Sequence, residues 1–385
     1  MNENPLLQLE ALGQSIWMDV LGRGMITSGE LKRYIEEDGL CGVTSNPSIF
    51  EKAISQSHDY DDAIRALAHE GKTEEEIYTT ITVEDIRHAA DLFRPVYDRL
   101  DGADGFVSLE VSPYLARDTD ATIEEARRLW SAVSRPNVMI KVPATLQGLP
   151  AIQQLIGEGI NINITLLFGL ARYRSVAEAY IAGLETLARQ GKPLKSVSSV
   201  ASFFLSRIDT LVDPELEKLW ATEASKATLI EQLHGQTATL SAKEAYRMYR
   251  EIFASERFSA LKSKGARTQR LLWASTSTKN PAYSDVKYVE SLIGPETINT
   301  VPVETLAAYR DHGKPELRLA HDMESAGATL GRLREAGIDL DAATQQLEDE
   351  GVQKFSTSLD SLMDTLKKKR LEAIGEPADA HATHE

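Results

Sequence analysis

Asn137-Val138-Met139-Ile140-Lys141-Val142-Pro143 reads as a strand with two unlike faces, Val138, Ile140 and Val142 opposing Met139 and Lys141 at a period of two. Similar β-type runs occur at 15–20, 41–44, 106–111, 160–166, 196–202, 270–275 and 297–301. Amphipathic helical patterns separate them, clearest over 151–157, 170–189 and 241–262. Eight alternations of strand and helix are what a closed parallel barrel requires, whereas an open doubly wound sheet uses about five to seven strands. The expected fold class is therefore α/β, a (β/α)8 TIM barrel with additional helices.

The period of two also sorts the barrel interior from its helix-facing exterior. Ile16, Met18 and Val20 oppose Trp17 and Asp19; Val107, Leu109 and Val111 oppose Phe106, Ser108 and Glu110. In the fifth run Ile160, Ile162, Ile164 and Leu166 oppose Asn161, Asn163 and Thr165. Interior polar groups near carboxyl strand ends lie where barrel enzymes place their chemistry. Asp19, Asn46, Glu110, Lys141, Asn163, Thr165 and Ser202 all fall near such ends. Each alone is also explained as a satisfied polar residue or a cap, and Asn46 and Ser48 beside Pro47 could simply shape a turn. Lys141 could likewise sit on a sheet edge with its head in water. Their convergence favours a site.

Burial disfavours a charged ammonium and favours the neutral amine, the form able to attack a carbonyl. Lys141 thus suggests Schiff-base chemistry on a ketose, with the iminium as electron sink for carbon–carbon cleavage. Asp19 and Glu110 are the carboxylates available for acid–base work. Thr165 is positioned to help Glu110 orient the water of imine formation and hydrolysis, and Asn46 and Asn163 to hold hydroxyls.

The 385-residue chain carries a net charge of −16, which disfavours non-specific attraction to nucleic acid or an anionic membrane, so an anionic substrate must be gripped locally. A single cysteine, Cys41, excludes an intramolecular disulfide and a cysteine-rich zinc site. The amino terminus lacks a secretory pattern and no apolar run has the length of a membrane span, so a cytoplasmic protein is expected. The eight histidines are scattered away from the strand ends, and Gly22-Arg23-Gly24 is only a fragment of a phosphate loop. No metal, nucleotide or other cofactor is therefore expected.

Two stretches exceed a minimal barrel. Residues 51–105 should hold two or three helices, with starts near Asp61 and Thr82-Val83-Glu84-Asp85-Ile86. Residues 304–373 read as helical, with breaks at Gly313-Lys314-Pro315 and Gly337-Ile338-Asp339. Without a repeat or linker the whole chain, 1–385, reads as one barrel domain ending in a loose tail, 375–385. A homo-oligomer is compatible with the sequence.

The motifs Gly42-Val43-Thr44-Ser45-Asn46-Pro47-Ser48, Ile140-Lys141-Val142-Pro143-Ala144-Thr145 with Gln147-Gly148, and Gly159-Ile160-Asn161-Ile162-Asn163-Ile164-Thr165-Leu166-Leu167-Phe168 closely resemble the transaldolase family, over about residues 16 to 306. The resemblance implies Lys141 as the Schiff-base lysine, Asp19 as general acid/base in cleavage, and Glu110 with Thr165 around the catalytic water. It implies that Asn46 and Asn163 bind a dihydroxyacetone unit and that the substrates are phosphorylated sugars of the non-oxidative pentose phosphate pathway. Ser202 and Arg207 match phosphate-binding positions of the family, with Phe204 lining the pocket. From the residues alone, Arg207 and Asp209 read as an exposed helix pair.

Short members of the family carry a second phosphate-binding arginine after the seventh strand. Here the segment reads Trp273-Ala274-Ser275-Thr276-Ser277-Thr278-Lys279-Asn280-Pro281, with Lys279 as the substitute and Ser275 and Ser277 as hydroxyl donors. This segment and the extra helices are similar to the longer branch of the family, related to fusions with a glucose-phosphate isomerase; the chain is too short to carry that second enzyme. Two other functions fit a sugar-phosphate barrel. One is a class I aldolase that releases dihydroxyacetone, and the other is a non-catalytic binding barrel, against which the joint presence of Asp19, Glu110 and Lys141 argues.

Overall fold

The computed structural model describes residues 4–375. Its eight strands are β1 (Gln14–Met18), β2 (Gly42–Thr44), β3 (Phe106–Glu110), β4 (Val138–Pro143), β5 (Ile162–Leu167), β6 (Ser199–Phe204), β7 (Arg270–Ala274) and β8 (Thr297–Val301). Each pairs in parallel with the next, and β8 pairs with β1, closing the barrel. All eight expected runs are strands. β6 starts three residues later than read, because Ser196 and Val197 still belong to the incoming turn, where the Val197 amide bonds the Leu194 carbonyl.

Helices fill the connections. The long excursion after β2 holds three, Pro47–Ser55, Asp61–His69 and Glu74–Arg99. The start read near Thr82 is mid-helix instead, because Thr73 and Glu76 form a reciprocal capping box that nucleates the helix two turns earlier. The segment read as one helix over 241–262 is divided into Thr237–Phe253 and Glu256–Lys262, the second capped by Ser255. After β8 come Val303–His312, Met323–Gly331 and Leu340–Ile374, broken at both places read from the glycines. The expected tail lies outside the described residues from 376 onward.

The faces divide as the alternation implies, with one irregularity. Leu166 has φ +53° and the β5–β6 register shifts between Ile164 and Leu167. This bulge turns Leu166 towards the Leu340–Ile374 helix, where its Cδ2 lies 2.8 Å from where a Cβ on Gly351 would stand. At the amino end of the barrel the interior is sealed by Trp17, whose Nε1 donates to Asp104 Oδ1 at 2.7 Å. Arg270 reaches Asp104 Oδ2 at 3.0 Å and donates to Ser15 Oγ at 2.9 Å. Gly42 makes room for Trp17, since a Cβ there would meet the indole at 2.5 Å.

Asp104→Ala should leave the partly buried Arg270 without its counter-charge and cost about 3–5 kcal/mol in urea unfolding. A loss below about 1 kcal/mol would mean that the pair behaves as an exposed one.

Candidate active site

At the opposite, carboxyl end of the strands a cavity of about 590 Å³ opens, lined among others by Asp19, Asn46, Lys141, Ser202, Phe204, Arg207 and Lys279. Seven of the ten sequence-derived site residues therefore meet in one space. Glu110, Asn163 and Thr165 are buried in the wall behind it.

The geometry follows from strand register. Glu110, Lys141 and Asn163 are register partners across β3, β4 and β5, so their side chains share one level of the interior. Lys141 Nζ lies 3.2 Å from Glu110 Oε2 and donates to the Ser45 carbonyl at 3.0 Å. Side-chain exposures of 5% for Lys141 and 4% for Glu110 make this a desolvated pair, against the sheet-edge alternative. Burial pushes the Glu110 carboxyl above its ordinary range, against the pull of Lys141.

Asp19 stands just past β1, its amide donating to the Val301 carbonyl at 2.8 Å. Thr44 Oγ1 donates to its Oδ1 at 3.0 Å. Burial raises the Asp19 carboxyl too, opposed first by Lys141 and then by the Thr44 bond. Two carboxyls raised by burial thus stand near one lysine. A hydrogen-bonded row, Ser202 Oγ to Asn163 Oδ1 at 2.6 Å and Asn163 Nδ2 to Ser108 Oγ at 3.0 Å, fixes the orientation of the Asn163 amide. Thr165 Oγ1 is buried and has no hydrogen-bond partner among the described residues.

Asn46 does shape a turn: its Oδ1 caps the Pro47–Ser55 helix by accepting from Ile49 N at 3.0 Å. That bond uses the oxygen and leaves Nδ2 as the donor facing the cavity side. Arg207, in the first turn of the Ser206–Thr222 helix, lies over the Phe204 ring at 5.4 Å and has its charged form disfavoured by burial. It does not pair with Asp209. That carboxylate is buried and receives Lys287 Nζ at 3.0 Å and Tyr288 Oη at 2.7 Å. Lys279 Nζ donates to Ser277 Oγ at 2.7 Å, and both residues line the cavity.

Sequence reading passed over Thr44 and the Ser45 carbonyl as contacts, although both stood inside a quoted motif. It also missed Lys354 and Phe355, which reach the cavity from the Leu340–Ile374 helix. No local pattern marks those two, since they look like ordinary positions on an amphipathic helix. No histidine lines the cavity, and no cluster of metal-ligating side chains occurs among the described residues.

A sequence profile of the transaldolase/fructose-6-phosphate aldolase family matches residues 16–366, reaching well beyond residue 306 into the last helix. A transaldolase of Trichodesmium erythraeum is 47% identical over 372 residues, covering 95% of this chain and 97% of that protein. A transaldolase of Thiobacillus denitrificans is 48% identical over 352 residues, 91% and 96% of the two chains. One from Thermobifida fusca is 47% identical over 369 residues, 95% and 98% respectively.

The raised Asp19 carboxyl has a measurable consequence for stability. Its folded-state pKa lies above the unfolded value, so the native state binds the extra proton and ionisation of Asp19 destabilises it as pH rises. Asp19→Asn should therefore stabilise the fold at neutral pH, on the order of 1 kcal/mol, with the gain fading as pH falls towards the ordinary carboxylate range. Urea unfolding across pH 4 to 8 checks this; a pH-independent difference would assign the effect to packing.

Proposed function

The chain belongs to the transaldolase/fructose-6-phosphate aldolase family, and from that premise we propose that it transfers a dihydroxyacetone unit from fructose 6-phosphate or sedoheptulose 7-phosphate to an aldose phosphate. In this reading Lys141 Nζ, after passing its proton to Glu110, attacks the ketose C2 carbonyl. The carbinolamine loses water to give an iminium, Glu110 and Thr165 handling that water. Asp19 takes the C4 hydroxyl proton, the C3–C4 bond breaks, and its electron pair moves into the iminium to leave an enamine. The aldose phosphate departs, the acceptor aldehyde enters, and the steps reverse. Asn46 and Asn163 hold the hydroxyls of the three-carbon unit, and Ser202, Arg207 and Lys279 take the phosphate with Phe204 beside it. The reaction belongs to the non-oxidative pentose phosphate pathway in the cytoplasm, and the chain works as a single barrel unit.

The observation that carries this reading is the convergence of Lys141, Asp19 and Arg207 on one cavity, with Glu110 3.2 Å behind the lysine. The test is borohydride trapping with fructose 6-phosphate and no acceptor. A dihydroxyacetone-derived adduct should appear on Lys141 and vanish in Lys141→Met together with turnover. Retained turnover in that variant would sink the Schiff-base mechanism. Adding erythrose 4-phosphate then separates transfer from release, since an aldolase would accumulate free dihydroxyacetone even with acceptor present.

Arg207→Ala should raise KM for fructose 6-phosphate about 10- to 100-fold while sparing dihydroxyacetone as donor, the expected loss of a charged hydrogen-bond donor to phosphate. Equal effects on both donors would place the phosphate elsewhere.

A further inference from the structure

The Leu340–Ile374 helix reaches the cavity with Lys354 and Phe355 and is tied down by ion pairs along much of its length. Glu348 pairs with Arg172 at 3.3 Å, Asp349 with Arg117 at 2.8 Å and Arg370 with Glu74 at 2.9 Å; Lys369 bonds Asp61. Lys354 departs from this pattern. It faces the cavity with no carboxylate in salt-bridge range among the described residues, and besides Arg23, which is paired with Glu84 and Asp85, the cations Lys52, Arg207 and Lys279 line the same space. Lys279 has a hydroxyl for a partner, and neither Lys52 nor Arg207 has an acid paired with it among the described residues.

Helical spacing explains how the lysine gets there. Gly351 brings the helix close to the barrel, since a Cβ at that position would stand 2.8 Å from Leu166 Cδ2 and 3.7 Å from Arg207 Nη1. Three and four residues on, Lys354 and Phe355 share that face, and Phe355 is buried against the cavity. The charged form of Lys354 is disfavoured first by Arg207, then by burial, and then by Lys279 and Lys52. In a chain of net charge −16, four cations that line one cavity without a carboxylate in salt-bridge range of any of them among the described residues form an arrangement that a dianion would relieve, although Asp19, Asp59 and Glu304 line the same cavity.

We propose that Lys354 is a phosphate-binding residue of the sugar-phosphate site, joining Arg207 and Lys279 from the Leu340–Ile374 helix. This rests on the functional reading above and adds to it. The helix that lies outside the eight barrel repeats then contributes directly to substrate recognition. Lysine supplies a point charge where the planar Arg207 fork supplies direction, so Lys354 and Lys279 together balance the dianion.

The test uses the full chain and inorganic phosphate as probe, by titration calorimetry, with fructose 6-phosphate kinetics beside it. Lys354→Gln should weaken phosphate binding about tenfold and raise KM more than it lowers kcat, the expected loss of one charge-assisted contact. Lys354→Arg should restore most of the affinity. Lys368→Gln, an equal charge change at an exposed position on another groove of the same helix, should bind phosphate like the parent. If Lys354→Gln matches Lys368→Gln while Arg207→Ala loses phosphate, the proposal for Lys354 is overturned and the phosphate site stands. If Arg207→Ala also binds phosphate normally, both fall. Borohydride trapping on Lys141 still decides the Schiff-base chemistry separately.

Discussion

Keeping one ammonium and two carboxyls together in a space largely closed to water is the constraint on which this structure turns. Lys141, Glu110 and Asp19 are all buried or line the cavity together, and burial moves both carboxyls upward. Such a group is tolerable only if its geometry is fixed from outside. The β3–β4 register supplies that by pairing Glu110 with Lys141, and the Ser45 carbonyl holds the ammonium from β2's exit. Asp19 is fixed by Thr44 and by the closing β8 strand through the Val301 carbonyl. Strands on both sides of the closure are therefore needed to hold three atoms at the mouth. An open sheet has no β8–β1 contact with which to position Asp19.

The other end of the barrel meets the opposite demand. Arg270, Asp104, Ser15 and Trp17 also place charge inside, but their partners are all protein groups and nothing faces a cavity. A buried polar cluster that satisfies itself gives a rigid floor, whereas one that leaves atoms uncommitted gives a site. Thr165 Oγ1, buried and unpartnered beside the wall residues, belongs to the second kind.

These properties explain what could be read from the chain. Strand faces were legible because alternation is local, and Lys141 stood out because an ammonium is costly in such a run. Motif residues such as Asn46 and Thr165 were legible for the same reason, being close in sequence to their strands. The bulge at Leu166, and the helix it packs against, could not be read, because they depend on the β5–β6 register and on space made by Gly351, neither of which alternation encodes. Arg207 and Asp209 read as a surface pair because their spacing fits one. The real partners of Asp209 are Lys287 and Tyr288, supplied by a short helix, Lys287–Glu290, in the connection after a different strand. Lys354 was invisible for the same cause, since its surroundings come from β2, β6 and β7 connections far away in sequence.

That long-range wiring has its own logic. Asp209 lies on the helix that begins beside Arg207, and through Lys287 and Tyr288 it binds the connection after β7; Asp213, one turn on, receives Tyr283 Oη at 2.8 Å. Arg207 and Lys279 are thus referenced to a single helix, so the spacing of these two cations is set before any ligand arrives. The last helix is referenced elsewhere. Ser358 shares a 2.6 Å hydrogen bond with Ser48, on the helix that Asn46 caps and that carries Lys52. Gly351 meanwhile rests on Leu166, next to Thr165. The Leu340–Ile374 helix is therefore held both against the helix that carries Lys52 and against the strand that carries Thr165. One helix thus ties two walls of the cavity together, and residues that look like ordinary packing in the sequence hold Lys354 and Phe355 in place between them.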